Sequence, residues 1–257
     1  MINFRHELFG ESVFTSFRTI DAKVLGLQEH IERLWRAAQV CYTIEHVSLI
    51  EFERYFFYQN ELTQLFAQYP NHYFRLTIYA DADLSLAKLR FGLSELKLDI
   101  KHTALPKGPS AIQLQTSESP YSSHYLALKT GSYAQNIIFR RRAMENGYDD
   151  VLFVRENRLL EASTSAVIFH RGKTFVTPAD KSILKSVTCQ LLEKFCRDTD
   201  HKFIQRPMSL DELSDYEHVF LANSVQFLTS VTRIDDNNYS ENNNLNINLQ
   251  DFLRDKL

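Results

Sequence analysis

Residues 126–178 read LALKTGSYAQNIIFRRRAMENGYDDVLFVRENRLLEASTSAVIFHRGKTFVTP, and the change of pattern inside this stretch decides the fold. Its first half carries a helix over 132–146 that stops at Gly147, a residue suited to a left-handed cap. Its second half turns to β-rich runs at 150–154, 159–169 and 174–177, with turns at Glu156-Asn157 and Arg171-Gly172. One lysine, Lys129, stands before the helix. One glutamate, Glu161, lies inside the strands.

Working towards the N-terminus, the same alternation of element types recurs. Residues 12–18 (SVFTSFR) suit a strand, with 22–27 as a hairpin partner. Residues 28–40 place Ile31, Leu34, Trp35 and Ala38 on one helical face, and a further helix is expected over 49–68. A strand follows at 72–80, with 91–100 beside it. Prolines 106, 109 and 120, Gly108 and several serines then mark 105–123 as a connection, with a short strand at 111–114. The expected organisation is an N-terminal α/β domain at 1–104, that linker, and a larger C-terminal domain at 124–257. Towards the C-terminus come a helix at 187–198, a strand at 218–222, an Asn-rich loop at 239–246 and a short final helix.

Composition narrows the function classes. The chain has 257 residues, 44% of them hydrophobic, and a net charge of -3, so a folded domain without a basic nucleic-acid face is expected. The run Arg140, Arg141 and Arg142 beside Glu145 reads as a solvated helix face. Cys41, Cys189 and Cys196 are odd in number and form no CxxC pair, which argues against a disulfide framework or a zinc site. No stretch has signal-peptide or membrane-span character. The expectation is a soluble cytoplasmic protein with a small-molecule substrate, no nucleic-acid partner and no membrane partner.

A lysine amine can form a Schiff base with a carbonyl cofactor, and a carboxylate can keep a pyridine nitrogen protonated. Pyridoxal phosphate chemistry needs that pair, and its phosphate needs amides at a helix start with hydroxyls or an arginine. Lys129 and Glu161 supply the pair, and Ala162, Ser163 and Ser165 leave room for a flat ring. Ser186, Val187 and Thr188 open a helix, and Ser224 follows the apolar run VFLA. Each signal alone has a plainer reading: a surface lysine, a solvent-facing glutamate, an N-cap. Their order along the chain is what gives them weight.

That order resembles the fold-type IV pyridoxal-phosphate enzymes, the class IV aminotransferase family, over nearly the whole chain. GESVFTSFRT looks like the family's first strand, and LQEHIERLWRAA is similar to its His-x-x-Arg-Leu helix, implying Arg33 as a phosphate ligand. LKTGSYAQNI implies Lys129 as the cofactor-bearing lysine and Tyr133 as the flanking tyrosine. LLEASTSAVIF implies Glu161 as the partner of the ring nitrogen. ILKSVTCQLL resembles the phosphate-binding helix start, and FLANSVQFLTSV places Asn223 and Ser224 at a phosphate position. Three residues depart from the family pattern: Ser186 stands for its glycine, Cys189 for its arginine, and Ala166 for its asparagine. The resemblance implies two α/β domains with the cofactor between them, and a homodimer.

Within the family, Arg75 has no neighbouring histidine to complete the carboxylate trap of D-amino-acid aminotransferases. Thr15 and Ser16 follow Phe14 where branched-chain aminotransferases have a glutamate-glycine pair. This is closest to 4-amino-4-deoxychorismate lyase, although Arg90-Phe91-Gly92 does not reproduce the Arg-Gly-Tyr loop of many lyases. The expected reaction is loss of pyruvate from 4-amino-4-deoxychorismate to give 4-aminobenzoate, a step of folate biosynthesis. Lys129 is the expected base, Thr15 the contact to the departing group, and Arg75 a substrate contact. The alternatives are an aminotransferase of branched-chain or other amino acids, and a non-catalytic binding protein, which Ala166 and Cys189 motivate.

Overall fold

The computed structural model describes residues 4–58, 61–80, 88, 90–122 and 127–255. Two compact units account for them. The first comprises Met1–Pro106 with Leu128–Tyr133, and the second Lys107–Ala127 with Ala134–Leu257.

The elements of the first unit are α1 (Phe4–Phe9), β1 (Ser12–Ile20), β2 (Lys23–Val24), α2 (Leu27–Tyr42), α3 (Leu49–Glu53), α4 (Leu62–Gln68), β3 (His72–Ala80) and β4 (Leu96–Ala104). Its four strands form an antiparallel sheet in the order β2-β1-β3-β4. Strand alternation sorts the side chains. Val13, Phe17, Phe74, Leu76 and Ile78 enter the core together with Ile31, Leu34 and Ala38 of α2. Burying a Phe, Leu or Ile side chain contributes about 1.5–3 kcal/mol, so this layer fixes the sheet against the helix. The single helix expected over 49–68 is instead interrupted: a π-helical turn occupies Arg54–Tyr58, and α4 starts only after Glu61 at φ 50°. The wide turn lets the adjacent Phe56 and Phe57 both be buried, which regular helical spacing disfavours.

The second unit contains β5 (Ala111–Glu118), α5 (Ala134–Glu145), β6 (Asp150–Arg155), β7 (Arg158–Ala162), β8 (Ala166–Arg171), β9 (Thr174–Pro178), α6 (Val187–Asp198), β10 (Lys202–Arg206), β11 (His218–Asn223), β12 (Phe227–Ile234), β13 (Asn237–Asn238) and α7 (Asn243–Asp255). Its sheet runs β10-β9-β8-β11-β12-β5-β6-β7, with β13 beside β12. Two sequence expectations change here. The run at 159–169 is two strands, because Ser163–Ser165 form a tight turn closed by the Ala162 amide donating to the Ser165 carbonyl at 2.9 Å. The proline-rich stretch at 105–123 contains a full strand, β5, parallel to both β12 and β6. Its prolines flank the strand rather than interrupt it. The turn at 163–165 joins β7, at one end of the sheet order, to β8, third from the other end. The sheet is therefore curled.

Candidate functional site

Lys129 is placed by the open edge of β1. The Phe14 amide donates to the Lys129 carbonyl at 2.9 Å, and the Gly131 amide donates to the Ser12 carbonyl at 2.9 Å. This approach demands a glycine at 131, since a Cβ there would lie 2.5 Å from Ser12 Oγ and 3.1 Å from the Gly10 carbonyl oxygen. Lys129 Nζ then donates to the Tyr133 hydroxyl at 3.0 Å and lies 4.8 Å from the centre of the Phe14 ring. The guanidinium carbon of Arg75 lies 3.5 Å from the centre of the same ring. Two cations thus lie against one ring on this face of the sheet, an arrangement worth about 0.5–2 kcal/mol per cation–π contact.

The pairing register decides which neighbour of Phe14 joins this face. Ser16 lies opposite Arg75, and Thr15 lies opposite Leu76. Ser16 therefore stands on the Lys129 side, where the Tyr73 hydroxyl donates to its Oγ at 3.1 Å. Thr15 points the other way and is fully buried. Its Oγ1 accepts from Arg33 Nη2 at 2.9 Å and meets His30 Nδ1 at 2.6 Å. Thr15 thus touches Arg33 and faces away from the side that carries Lys129. Ser16 was missed although strand alternation could have found it, given the face of Phe14.

Arg33 is a half-buried cation with a buried Nε and no carboxylate partner among the described residues. Its contacts among the described residues are Thr15 and His30, and its Nε has no partner among them. Burial lowers its pKa to about 10, while Tyr133 acts in the opposite direction. A half-buried guanidinium with unused N–H groups is chemically a receptor for an anion.

The second unit gathers a different set of groups. Ser186 caps α6, its Oγ accepting from the Cys189 amide at 3.3 Å. The amides of Val187 and Thr188 are the first in the helix and have no intrahelical acceptor. Thr188 is fully buried and its Oγ1 lacks a partner among the described residues. Asn223 shapes the loop after β11: its Oδ1 accepts from the amides of Val225 and Gln226, each at 2.9 Å, and its Nδ2 donates to Ser165 Oγ at 3.1 Å. That leaves the Ser224 hydroxyl at the loop. The loop ends at Phe227, a buried aromatic residue at φ 61°, a backbone conformation costing about 1–3 kcal/mol.

Glu161 is half-buried on β7. Burial pushes the Cys189 thiol up to about 11, hydrogen bonds with Ser186 and Thr177 oppose the rise, and the negative charge of Glu161 adds to it. Cys189 is thus a neutral thiol within the field of the carboxylate. Among the described residues no group of histidines, cysteines and carboxylates is arranged to hold a metal ion, and no helix is long and apolar enough to cross a membrane.

The family model for amino-transferase class IV matches residues 12–234. The chain belongs to that family. A putative branched-chain-amino-acid aminotransferase of Methanocaldococcus jannaschii is 24% identical over 246 residues, covering 89% of this chain and 80% of the relative. Among solved structures, a fold IV-transaminase of Curtobacterium pusillum superposes with a TM-score of 0.82 at 22% identity, over 100% of this chain and 88% of that one. A putative 4-amino-4-deoxychorismate lyase of Legionella pneumophila gives 0.82 at 21% identity, over 98% and 93%. These likenesses show a fold-type IV α/β architecture. The family consists of pyridoxal-phosphate enzymes, and the residues present fit that cofactor. Each unit has groups that suit a phosphate: Arg33, with its unpartnered Nε, in the first, and Thr188 Oγ1 beside the first amides of α6 in the second. Glu161 has the charge a pyridinium nitrogen requires.

Proposed function

We propose that this member of the class IV aminotransferase family is a lyase that releases pyruvate from 4-amino-4-deoxychorismate and leaves 4-aminobenzoate. One observation carries the reading: the sheet face that presents Lys129 also presents the Ser16 hydroxyl and the Arg75 guanidinium around Phe14. An elimination needs a base, a proton donor for the departing group and a cation for the substrate carboxylate, and this face offers all three.

Arg33, the Val187 and Thr188 amides, the Thr188 hydroxyl and Ser224 are assigned to the cofactor's phosphate. Ser186 and Asn223 shape the backbone around these groups. Glu161 is assigned to the ring nitrogen, and Tyr133 to the flank of the ring. When bound, pyridoxal phosphate supplies the sink for the electrons of the bond broken at the amine-bearing carbon. Lys129 Nζ takes the proton from that carbon, with the Tyr133 hydroxyl holding the amine in place. Ser16 Oγ, hydrogen-bonded to Tyr73, delivers a proton to the departing enolpyruvyl group. Arg75 holds a substrate carboxylate, and the rings of Phe14 and Tyr133 keep water from the amine. The resemblance leads us to expect a homodimer working in the cytoplasm.

A second reading has its own support. The Methanocaldococcus jannaschii relative, matched over 80% of its length, carries the name of a branched-chain aminotransferase, and the same Lys129 base serves that reaction. Holoenzyme mixed with 4-amino-4-deoxychorismate and no keto acid separates the two. Equal amounts of pyruvate and 4-aminobenzoate support the lyase. Conversion of the cofactor to its amine form by leucine, isoleucine or valine, with no 4-aminobenzoate formed, replaces it with the aminotransferase.

A further inference from the structure

The contacts around Arg33 point to one assignment of protons. A guanidinium only donates, and Arg33 Nη2 reaches both Thr15 Oγ1 at 2.9 Å and His30 Nδ1 at 3.4 Å. As a hydrogen bond, the Arg33 contact requires a lone pair on His30 Nδ1. The Thr15 hydroxyl, already accepting from Arg33, directs its proton to that lone pair across 2.6 Å. The remaining proton of the imidazole sits on Nε2, which is buried and without a partner among the described residues. We propose that Thr15 and His30, the latter fixed as its neutral Nε2–H tautomer, are positioning residues that lock Arg33 as an anion receptor.

Neutrality is the point of the device. A carboxylate at position 15 or 30 would hold the guanidinium more tightly, but it would cancel the charge an anion must meet. A hydroxyl and an imidazole hold the same Nη2 and leave the full positive charge available. Protonation would place Nδ1–H against Arg33 and end the role of His30 as an acceptor. Burial, with the charges of Arg33 and Lys129 adding to it, accordingly holds its pKa well below the ordinary value. His30 is also fixed as a body, since its ring packs 5.0 Å from that of Phe17 in the core.

This inference rests on the assignment of Arg33 to the cofactor's phosphate, and one set of measurements separates the two. The affinities of pyridoxal phosphate and of phosphate-free pyridoxal are measured by absorbance titration for each variant, with melting temperature as a check of folding. The ratio of the two affinities reports the phosphate contact alone. Arg33→Gln is expected to lower that ratio; an unchanged ratio overturns the phosphate assignment itself. Thr15→Val, which keeps the shape of the side chain and removes the hydroxyl, is expected to lower it about tenfold, the loss typical of a hydrogen bond to a charged group. Thr15→Ser should keep the ratio, and His30→Met should lower it while His30→Gln, which retains an acceptor, preserves most of it. If Arg33→Gln collapses the ratio while Thr15→Val leaves it intact, the relay is wrong. Should the His30 variants not fold, the pair Thr15→Val and Thr15→Ser decides the matter.

Discussion

The two units differ in the groups they present. The first presents cations on a regular sheet: Arg33, Arg75 and Lys129 all project from or beside β1, β3 and α2, held by long-range strand pairing. The second presents a carboxylate, hydroxyls and backbone amides, and it builds them from local devices: an N-cap at Ser186, a turn at 163–165 and the Asn223 loop. The difference is physical. A buried cation needs packed neighbours from several elements to hold its position, whereas an amide or hydroxyl is positioned by the turn that contains it. Damage to the first unit should therefore act through side-chain chemistry, and damage to the second through charge and loop shape.

The sharpest test of that contrast is Lys129→Ala. Removing the base should lower turnover by about 10³-fold or more, within the range of general acid–base catalysis, and should abolish the visible absorbance of the cofactor bound through the lysine. A variant that retains both places the chemistry on another residue. Next in size is Glu161→Gln on the second unit. It should reduce turnover by about 10²-fold, as loss of a preorganised charge does, while leaving the cofactor attached to Lys129. If Glu161→Gln releases the cofactor instead, the carboxylate belongs to binding and not to electron withdrawal.

Gly131→Ala tests the backbone of the first unit. The added Cβ meets Ser12 Oγ at 2.5 Å, so either that hydroxyl turns away or the segment carrying Lys129 lifts from β1, at a cost of about 1–3 kcal/mol for overpacking. A lowered melting temperature together with lowered turnover is expected. Combining it with Ser12→Ala, which removes the clashing oxygen, should restore part of both. No restoration would mean that Gly131 is needed for another reason.

How much of this was legible beforehand divides along the same line. The positions of Lys129, Arg33, Glu161 and the α6 start follow from motif order, and the helices and strands around them follow from periodicity. The face of β1 did not, because SVFTSFR is apolar or hydroxylic at every position up to Arg18 and its alternation carries little contrast; Thr15 was chosen where Ser16 faces Lys129. β10 escaped for a related reason: KFIQR is a mostly exposed edge strand, and it shows no apolar run. The split of α3 from α4 is invisible to a pattern of recurring apolar residues, since a π-turn preserves that pattern while shifting its phase. The His-x-x-Arg-Leu pattern pointed to Arg33 and gave His30 no role; its contacts with Thr15 and Arg33 became visible only in the structure.

The smallest expected effect compares two buried histidines. Burial comes first for both: it holds His30 in the first unit well below the ordinary pKa, with the charges of Arg33 and Lys129 adding to it, and it holds His170 in the second below that value among aromatic rings. The His170 ring lies 4.4 Å from that of Phe175 and 5.7 Å from that of His218. Burial lowers the His170 pKa to about 4, and the charges of His218 and His201 lower it further, while Glu217 and the backbone of Gly172 pull upwards. The folded state then binds fewer protons than the unfolded chain, whose histidine titrates near 6.5. Stability from this residue is present above pH 6.5 and is lost as the pH falls from about 6.5 towards 4, by an amount on the order of 1–3 kcal/mol. Chemical denaturation across that window should show the slope in the wild type and a flatter profile in His170→Phe, which fills the same space without a titrating ring. Thr15→Val should leave this slope unchanged. A slope altered by Thr15→Val as much as by His170→Phe would mean that the Thr15 contact, and not burial, keeps His30 neutral.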